Sequence, residues 1–324
     1  MIERIRRSLQ RYSPGDPRTE GSLSVRVASR LIALTPTKDR HRTTDWVEGT
    51  YPGRQYPEAA AMPRSLTTLH SIQERLVDGV RTITVRPRKG ATRLHIIYTH
   101  GGVYINELSR PHWWIVAELI RRTGATVTVP LYRLAPESTY REVFPYLTSV
   151  YREVLLTSDA DDVVLAGDSA GGGLAIAQCW AFTGAGLPMP SRIIAFSPWL
   201  DVTGTNPDVP RYEKIDPMLS VPGAVRAGSW WAGGDDPRTP LVSPACAPAD
   251  MLGSLPPIRI YQGTRDVCMP DAVVFRDRAL EAGADVVLRE YPGAFHVFPG
   301  LPWLPESRAA YADLADWLGR PALP

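Results

Sequence analysis

The sequence lacks an excess of charge of either sign. Its 36 basic residues face 34 acidic ones, for a net charge of +2. That balance leaves no electrostatic footprint for gripping a nucleic-acid backbone. Cysteine is scarce. Cys179, Cys246 and Cys268 are odd in number, widely spaced and without a C-x-x-C pair, which excludes a disulfide framework and a cysteine-built redox or metal motif. They read as reduced thiols. No group of His, Cys or Asp has ligand spacing along the chain, so neither a metal nor another cofactor is expected. Long apolar runs are missing too: none approaches the roughly 18 residues of a spanning helix, and no apolar stretch of signal-peptide type follows the N-terminal arginines. A cytoplasmic protein without stable membrane insertion is the default expectation. The assembly state stays open, a homodimer being compatible with the sequence.

What is present is ordinary for a globular enzyme: 44% apolar, 22% charged and 9% aromatic residues. Proline is the outlier, with 31 in 324 residues, roughly twice the usual 5%. Many connections must be stiff and irregular. Arg4, Arg6, Arg7 and Arg11 make the N-terminus locally basic. With Ile2, Ile5 and Leu9 they are compatible with an amphipathic helix touching anionic lipid, although a solvated surface helix is the preferred reading.

From about residue 80 onward, short β-branched runs alternate with segments of helical period, the pattern of a mostly parallel sheet covered by helices. Strands are expected at Val80–Val85, Leu94–Thr99, Thr126–Val129, Val163–Ala166, Ile193–Phe196, Ile258–Tyr261 and Val286–Glu290. Helices are expected at Pro111–Arg122, Tyr140–Leu156, Ala170–Thr183, Ala272–Ala282 and Glu306–Leu318, with Gly124 and Gly283 as C-terminal caps. Two stretches break the alternation: residues 1–78, and about 203–255, rich in Pro, Gly and Trp. Both are expected to supply a cap over a catalytic domain spanning 79–324.

Gly167-Asp168-Ser169-Ala170-Gly171 fits G-x-S-x-G between an apolar strand and a helix. There the glycines permit a sharp turn that lifts the serine hydroxyl above the sheet, and the helix N-terminus offers amides to a developing oxyanion. Upstream, the strand ending at Thr99 runs into His100-Gly101-Gly102-Val103, whose glycines let backbone approach a substrate carbonyl. The amides of Gly101, Gly102 and Ala170 are the expected oxyanion donors, with His100 holding the loop. Ser169 needs a base. In the chain order Ser, Asp, His, only His296 among six histidines lies after the last strand; His41, His70, His95 and His112 have no such setting. Asp266, in Gly263-Thr264-Arg265-Asp266, is the preferred acid. Asp271 is the second candidate, better placed to cap a helix beginning at Ala272. Trp113-Trp114 and Trp230-Trp231 can line a pocket or simply pack.

Over residues 80–320 these motifs, together with Tyr132-Arg133-Leu134-Ala135-Pro136-Glu137, Ser197-Pro198-Trp199-Leu200-Asp201 and His296-Val297-Phe298, resemble the hormone-sensitive-lipase-like family of α/β-hydrolases. The resemblance implies an eight-stranded, mostly parallel sheet, a helical cap built largely from the N-terminal region, no metal, and a serine carboxylesterase acting on a small-molecule ester. It makes Glu137 and Asp201 chiefly structural. Val103 departs from the pattern by replacing the third glycine of the loop, and Val267-Cys268-Met269-Pro270 departs from it after the acid. With Val103 and a proline-rich cap, short to medium acyl esters are the expected substrates. An amidase, deacetylase or lactonase would use the same residues. A silent ligand-binding relative, as among gibberellin receptors, is expected to lose the base, and His296 is present.

Overall fold

The computed structural model describes residues 21–40 and 58–319, and between them residues 42, 44 and 48. The N-terminal helix expected within Ile2–Arg11, His41 and most of the Tyr51–Pro63 loop lie outside the described residues.

Eight strands form one sheet in the order β1-β2-β4-β3-β5-β6-β7-β8. They are β1 (His70–Val77), β2 (Val80–Pro87), β3 (His95–Thr99), β4 (Thr126–Pro130), β5 (Val163–Asp168), β6 (Arg192–Phe196), β7 (Ile258–Gly263) and β8 (Val286–Tyr291). β1 and β2 run antiparallel to their neighbours, and the others are parallel. The central strands β3 and β5 are buried along their whole length. Strands covered on both faces carry continuous apolar runs instead of alternation, as Ile96-Ile97-Tyr98 and Val163-Val164-Leu165-Ala166 do.

The longer helices are α1 (Leu23–Ala33), α2 (Arg110–Thr123), α3 (Tyr140–Leu155), α4 (Ala170–Gly184), α5 (Val209–Ile215), α6 (Val221–Trp231), α7 (Met269–Glu281) and α8 (Pro305–Trp317). They pack on opposite faces of the sheet. Val163 and Leu165 point into a core with α3, α4 and α7, while Val164 and Ala166 point into one with α1, α2 and α8. α2 stops at Gly124, which takes the left-handed conformation at φ 67°.

Sequence and structure differ at two boundaries. The sheet begins at His70, inside the segment assigned to the N-terminal cap region. Helix α7 begins at Met269, not Ala272, because Pro270 suits the first turn, where a missing N–H costs nothing. Asp271 therefore lies inside the helix and caps nothing; it is buried, and its Oδ1 accepts from Asn206 Nδ2 at 2.8 Å.

Chain order reverses between β3 and β5, and the crevice outside the carboxyl ends of such strands is where ligands gather in open α/β sheets. Thr99 pairs with Gly167 in register. The residues after β3 and β5 thus emerge side by side.

Candidate active site

Ser169 follows β5 and precedes α4, with φ 51° and ψ −123°. A non-glycine residue held there is strained, a condition found where surrounding structure over-determines a functional position. The turn needs glycine before it: a Cβ on Gly167 would sit 2.1 Å from the Gly171 carbonyl oxygen and 2.8 Å from that of Thr99.

His296 stands past β8, Asp266 past β7. His296 Nε2 lies 2.8 Å from Ser169 Oγ, and its Nδ1 lies 3.0 Å from each carboxylate oxygen of Asp266. All three residues are buried. Asp266 is itself held, accepting from the Cys268 amide at 2.9 Å on Oδ1 and from Gln262 Nε2 at 2.7 Å on Oδ2. With its acceptors occupied in this way, the carboxylate has one orientation, and the imidazole Nδ1–H faces it. Burial alone would lower the His296 pKa; the Asp266 charge and hydrogen bond outweigh that and raise it above the ordinary histidine value.

The loop after β3 departs from expectation. The Gly101 amide donates to Asp168 Oδ1 at 3.1 Å, so Gly101 is not available as an oxyanion donor. Its lack of a side chain is required nonetheless: a Cβ there would lie 2.4 Å from Asp168 Oδ2 and 2.9 Å from Ser169 Cβ. Among the described residues, no hydrogen bond engages the amides of Gly102, Val103 or Ala170. Val103 adopts φ 57° and lines the same cavity as Ser169. The side chain of Val103 is visible in the sequence as a replacement for glycine, whereas the availability of its amide depends on the loop's conformation.

His100 holds the loop, its Nδ1 2.7 Å from the Gly101 carbonyl and its ring stacked on Tyr132 at 4.6 Å. Burial, with His112 beside it, pulls it down to about 4, so it is neutral at physiological pH. His112, without an assigned partner in the sequence, places Nε2 3.3 Å from Asp168 Oδ2. Asp168 also accepts from Tyr98 Oη. Burial would raise the Asp168 carboxyl, but His112 and the Tyr98 hydroxyl hold it below the usual carboxylate range.

A cavity of about 50 Å³ opens beside Ser169. Val103, Trp199, Leu219, Val221 and Val225 give it an apolar lining, and Asp201 and Asp271 stand on its wall. Much of that lining comes from the segment within 203–255. Neither tryptophan pair takes part: Trp231 stacks on Tyr104 at 4.2 Å, and Trp113 donates to the Ala60 carbonyl at 2.6 Å. Asp201 also accepts from the Thr203 amide and hydroxyl at 2.8 and 2.6 Å.

Folding does create a group that chain spacing did not reveal. Asp266, Cys268 and His296 bring potential ligand atoms within 4.8 Å. Burial and the neighbouring Asp266 charge raise the Cys268 thiol well above its ordinary value. Asp266 and His296 are already bonded to each other. In this arrangement the carboxylate holds the imidazole. Among the described residues, no helix is long and apolar enough to cross a membrane.

Comparison with known proteins identifies the fold and the family. A family model described as the alpha/beta hydrolase fold matches residues 96–300. An acetyl-hydrolase of Streptomyces hygroscopicus is 35% identical over 228 residues, covering 70% of this chain and 75% of that protein. An esterase of Acinetobacter venetianus is 32% identical over 243 residues, covering 74% and 78%. The crystal structure of an esterase from the bacterial hormone-sensitive lipase family superposes with a TM-score of 0.75 at 28% identity, covering 91% of this chain and 96% of the other.

Proposed function

The chain belongs to the α/β-hydrolase fold family and is a carboxylic ester hydrolase, and on that premise we propose that it works as a serine esterase on small-molecule esters of short acyl chains. The observation that carries this reading is the unbroken chain from Ser169 Oγ through His296 to Asp266, at 2.8 and 3.0 Å.

His296 takes the hydroxyl proton of Ser169 as the oxygen attacks the ester carbonyl. Asp266 keeps the ring in the tautomer that leaves Nε2 free to accept, and stabilises the imidazolium that forms. The tetrahedral oxyanion is received by the unengaged amides of Gly102, Val103 and Ala170; removal of one such donor typically costs ~10²–10³ in turnover. Collapse expels the alcohol, which takes its proton from His296 and leaves an acyl group on Ser169. Water, deprotonated by His296, then releases the acid.

The cap in this reading is the N-terminal region together with the 203–255 segment. The cavity beside Ser169 sets the acyl size. On the scale where a single water needs about 10–15 Å³, about 50 Å³ admits a few heavy atoms, such as an acetyl or propionyl group. The test is Ser169→Ala with 4-nitrophenyl acetate: hydrolysis should vanish while the far-UV spectrum and Tm stay unchanged, and acid-quenched wild type should carry an acetyl mass on the Ser169 peptide. A variant retaining half the activity would overturn the assignment.

A further inference from the structure

Asp216 is a buried carboxylate next to the triad that the cycle above does not use. It ends α5 and is 1% exposed. Its Oδ1 accepts from the amides of Met218 and Leu219 at 2.7 and 2.9 Å, which closes its own turn. Its Oδ2 reaches across to the acid turn and accepts from the Val267 amide at 2.9 Å. Val267 is the residue after Asp266.

The same two segments are tied again by Arg265, whose guanidinium donates to the Ile215 carbonyl at 3.2 and 3.3 Å. From the N-terminal side, the Lys38 ammonium donates to the carbonyls of Glu213 and Asp216 at 2.5 and 2.6 Å. Asp216 thus stands where the N-terminal segment, the 203–255 segment and the turn carrying Asp266 are joined.

A buried carboxylate is costly without a cation or a full set of donors. The ion pairs of the described residues do not include Asp216. Asp266 lies one residue before the Val267 donor to Asp216 and Cys268 one residue after, and His296 bonds Asp266; the charges of Asp266 and His296 both act on Asp216. Glu213 on its own helix bonds Ser220 and the Val221 amide, while Arg265 and Lys38 are spent on carbonyls. These two cations stand on the backbone side of Asp216, toward its own carbonyl and that of Ile215, whereas its Oδ2 faces the acid turn, where the catalytic cycle forms an imidazolium.

Resting on the triad reading above, we propose that Asp216 is a positioning residue: it holds the turn that presents Asp266 and adds a second negative charge toward the imidazolium formed on His296. Burial and then the Asp266 charge push Asp216 up to about 6, with His296 pulling the other way. The raised pKa of His296 in turn owes part of its rise to Asp216.

The experiment is the pH profile of kcat/KM for 4-nitrophenyl acetate with wild type and Asp216→Asn. Removing the charge lowers the His296 pKa, so the acid limb should move to lower pH, and the plateau should fall tenfold or more. A variant that only loosened the fold would lose rate without moving the limb. An unmoved limb overturns the proposal. If Asp216→Asn does not fold, wild type decides. Protonating Asp216 should cost the same tenfold as removing its charge, so the logarithmic acid limb of wild type becomes steeper than one proton over about one decade of rate below about pH 6; a limb that stays at one proton throughout overturns the proposal. Ser169→Ala separates the two readings: activity surviving in it sinks the triad, whereas activity lost there with an unmoved Asp216→Asn limb sinks only the role of Asp216.

Discussion

The Gly101 amide and the Asp168 carboxylate meet at 3.1 Å, and through this bond the residue before the nucleophile fastens the loop that must receive the oxyanion. Gly101, His112 and Tyr98 converge on one buried carboxylate. Asp168→Ala leaves those donors without a partner. A buried donor stranded this way costs about 1–3 kcal/mol, so thermal unfolding should show a clear fall in Tm. Turnover should also drop by an order of magnitude, since the loop loses its anchor. Because the folded Asp168 carboxyl titrates below its ordinary value, the stability it contributes is present above about pH 4 and is lost as pH falls through the folded pKa. Wild type should therefore lose Tm faster than the variant on acidification; parallel curves would remove Asp168 from this role.

Much of this was legible in the chain. Ser169, His296 and Asp266 lie where strand, turn and helix patterns place them, because each follows a strand whose end the sheet must deliver to one edge. β1 was not found. His70–Val77 is an edge strand, largely exposed, so its burial leaves no continuous apolar run. Its turn was readable all the same: Asp78-Gly79, at φ 48° and 74°, is the D-G pair that joins two strands tightly. At α7 two signals compete: Asp271 has the character of a cap for a helix starting at Ala272, while Pro270 suits a first turn starting at Met269, and the second prevails. The commitment of the Gly101 amide and the junction at Asp216 were not legible at all. Both depend on backbone donors meeting carboxylates 67 and 51 residues away, and no local pattern encodes such a meeting.

Asp266 and Asp271 should give opposite signatures. Loss of a triad acid as Asn costs about 10⁴ in turnover in the worked serine-protease case, and Asp266→Asn should behave alike while remaining folded. Asp271 is pushed up to about 7 by burial and by Asp201. A carboxyl raised on folding favours stability at low pH, and the benefit disappears as pH rises through the folded value. Asp271→Asn should thus leave kcat nearly unchanged and raise Tm at pH 8 more than at pH 6. If Asp271→Asn lost turnover and Asp266→Asn kept it, the acid would need reassignment.

His296 should make activity and stability move in opposite directions. Its folded pKa is raised, so its contribution to stability is complete below the ordinary value of about 6.5 and is lost as pH climbs through the folded value. Catalysis needs the neutral ring, so kcat/KM rises over that same interval. Parallel Tm and kcat/KM profiles on wild type, with His296→Gln as the reference for Tm, check the sign. A wild-type Tm that rose relative to His296→Gln between pH 6 and 8 would contradict it.

Acyl length tests the cavity. Its wall is built by Leu219, Val221 and Val225 from the 203–255 segment together with Val103 and Trp199. A rigid apolar pocket discriminates by about 1–3 kcal/mol for each methylene it must refuse, or 10–200-fold. With about 50 Å³ available, 4-nitrophenyl acetate should exceed the octanoate in kcat/KM by at least ~10-fold. Leu219→Ala removes three carbon atoms from the wall without touching Ser169, His296 or the oxyanion amides. It should raise the octanoate rate and leave the acetate rate near wild type, so that the ratio narrows from the octanoate side. A wild type that preferred octanoate would mean the acyl chain lies elsewhere, and the alcohol portion of the ester would then be the group confined beside Val103.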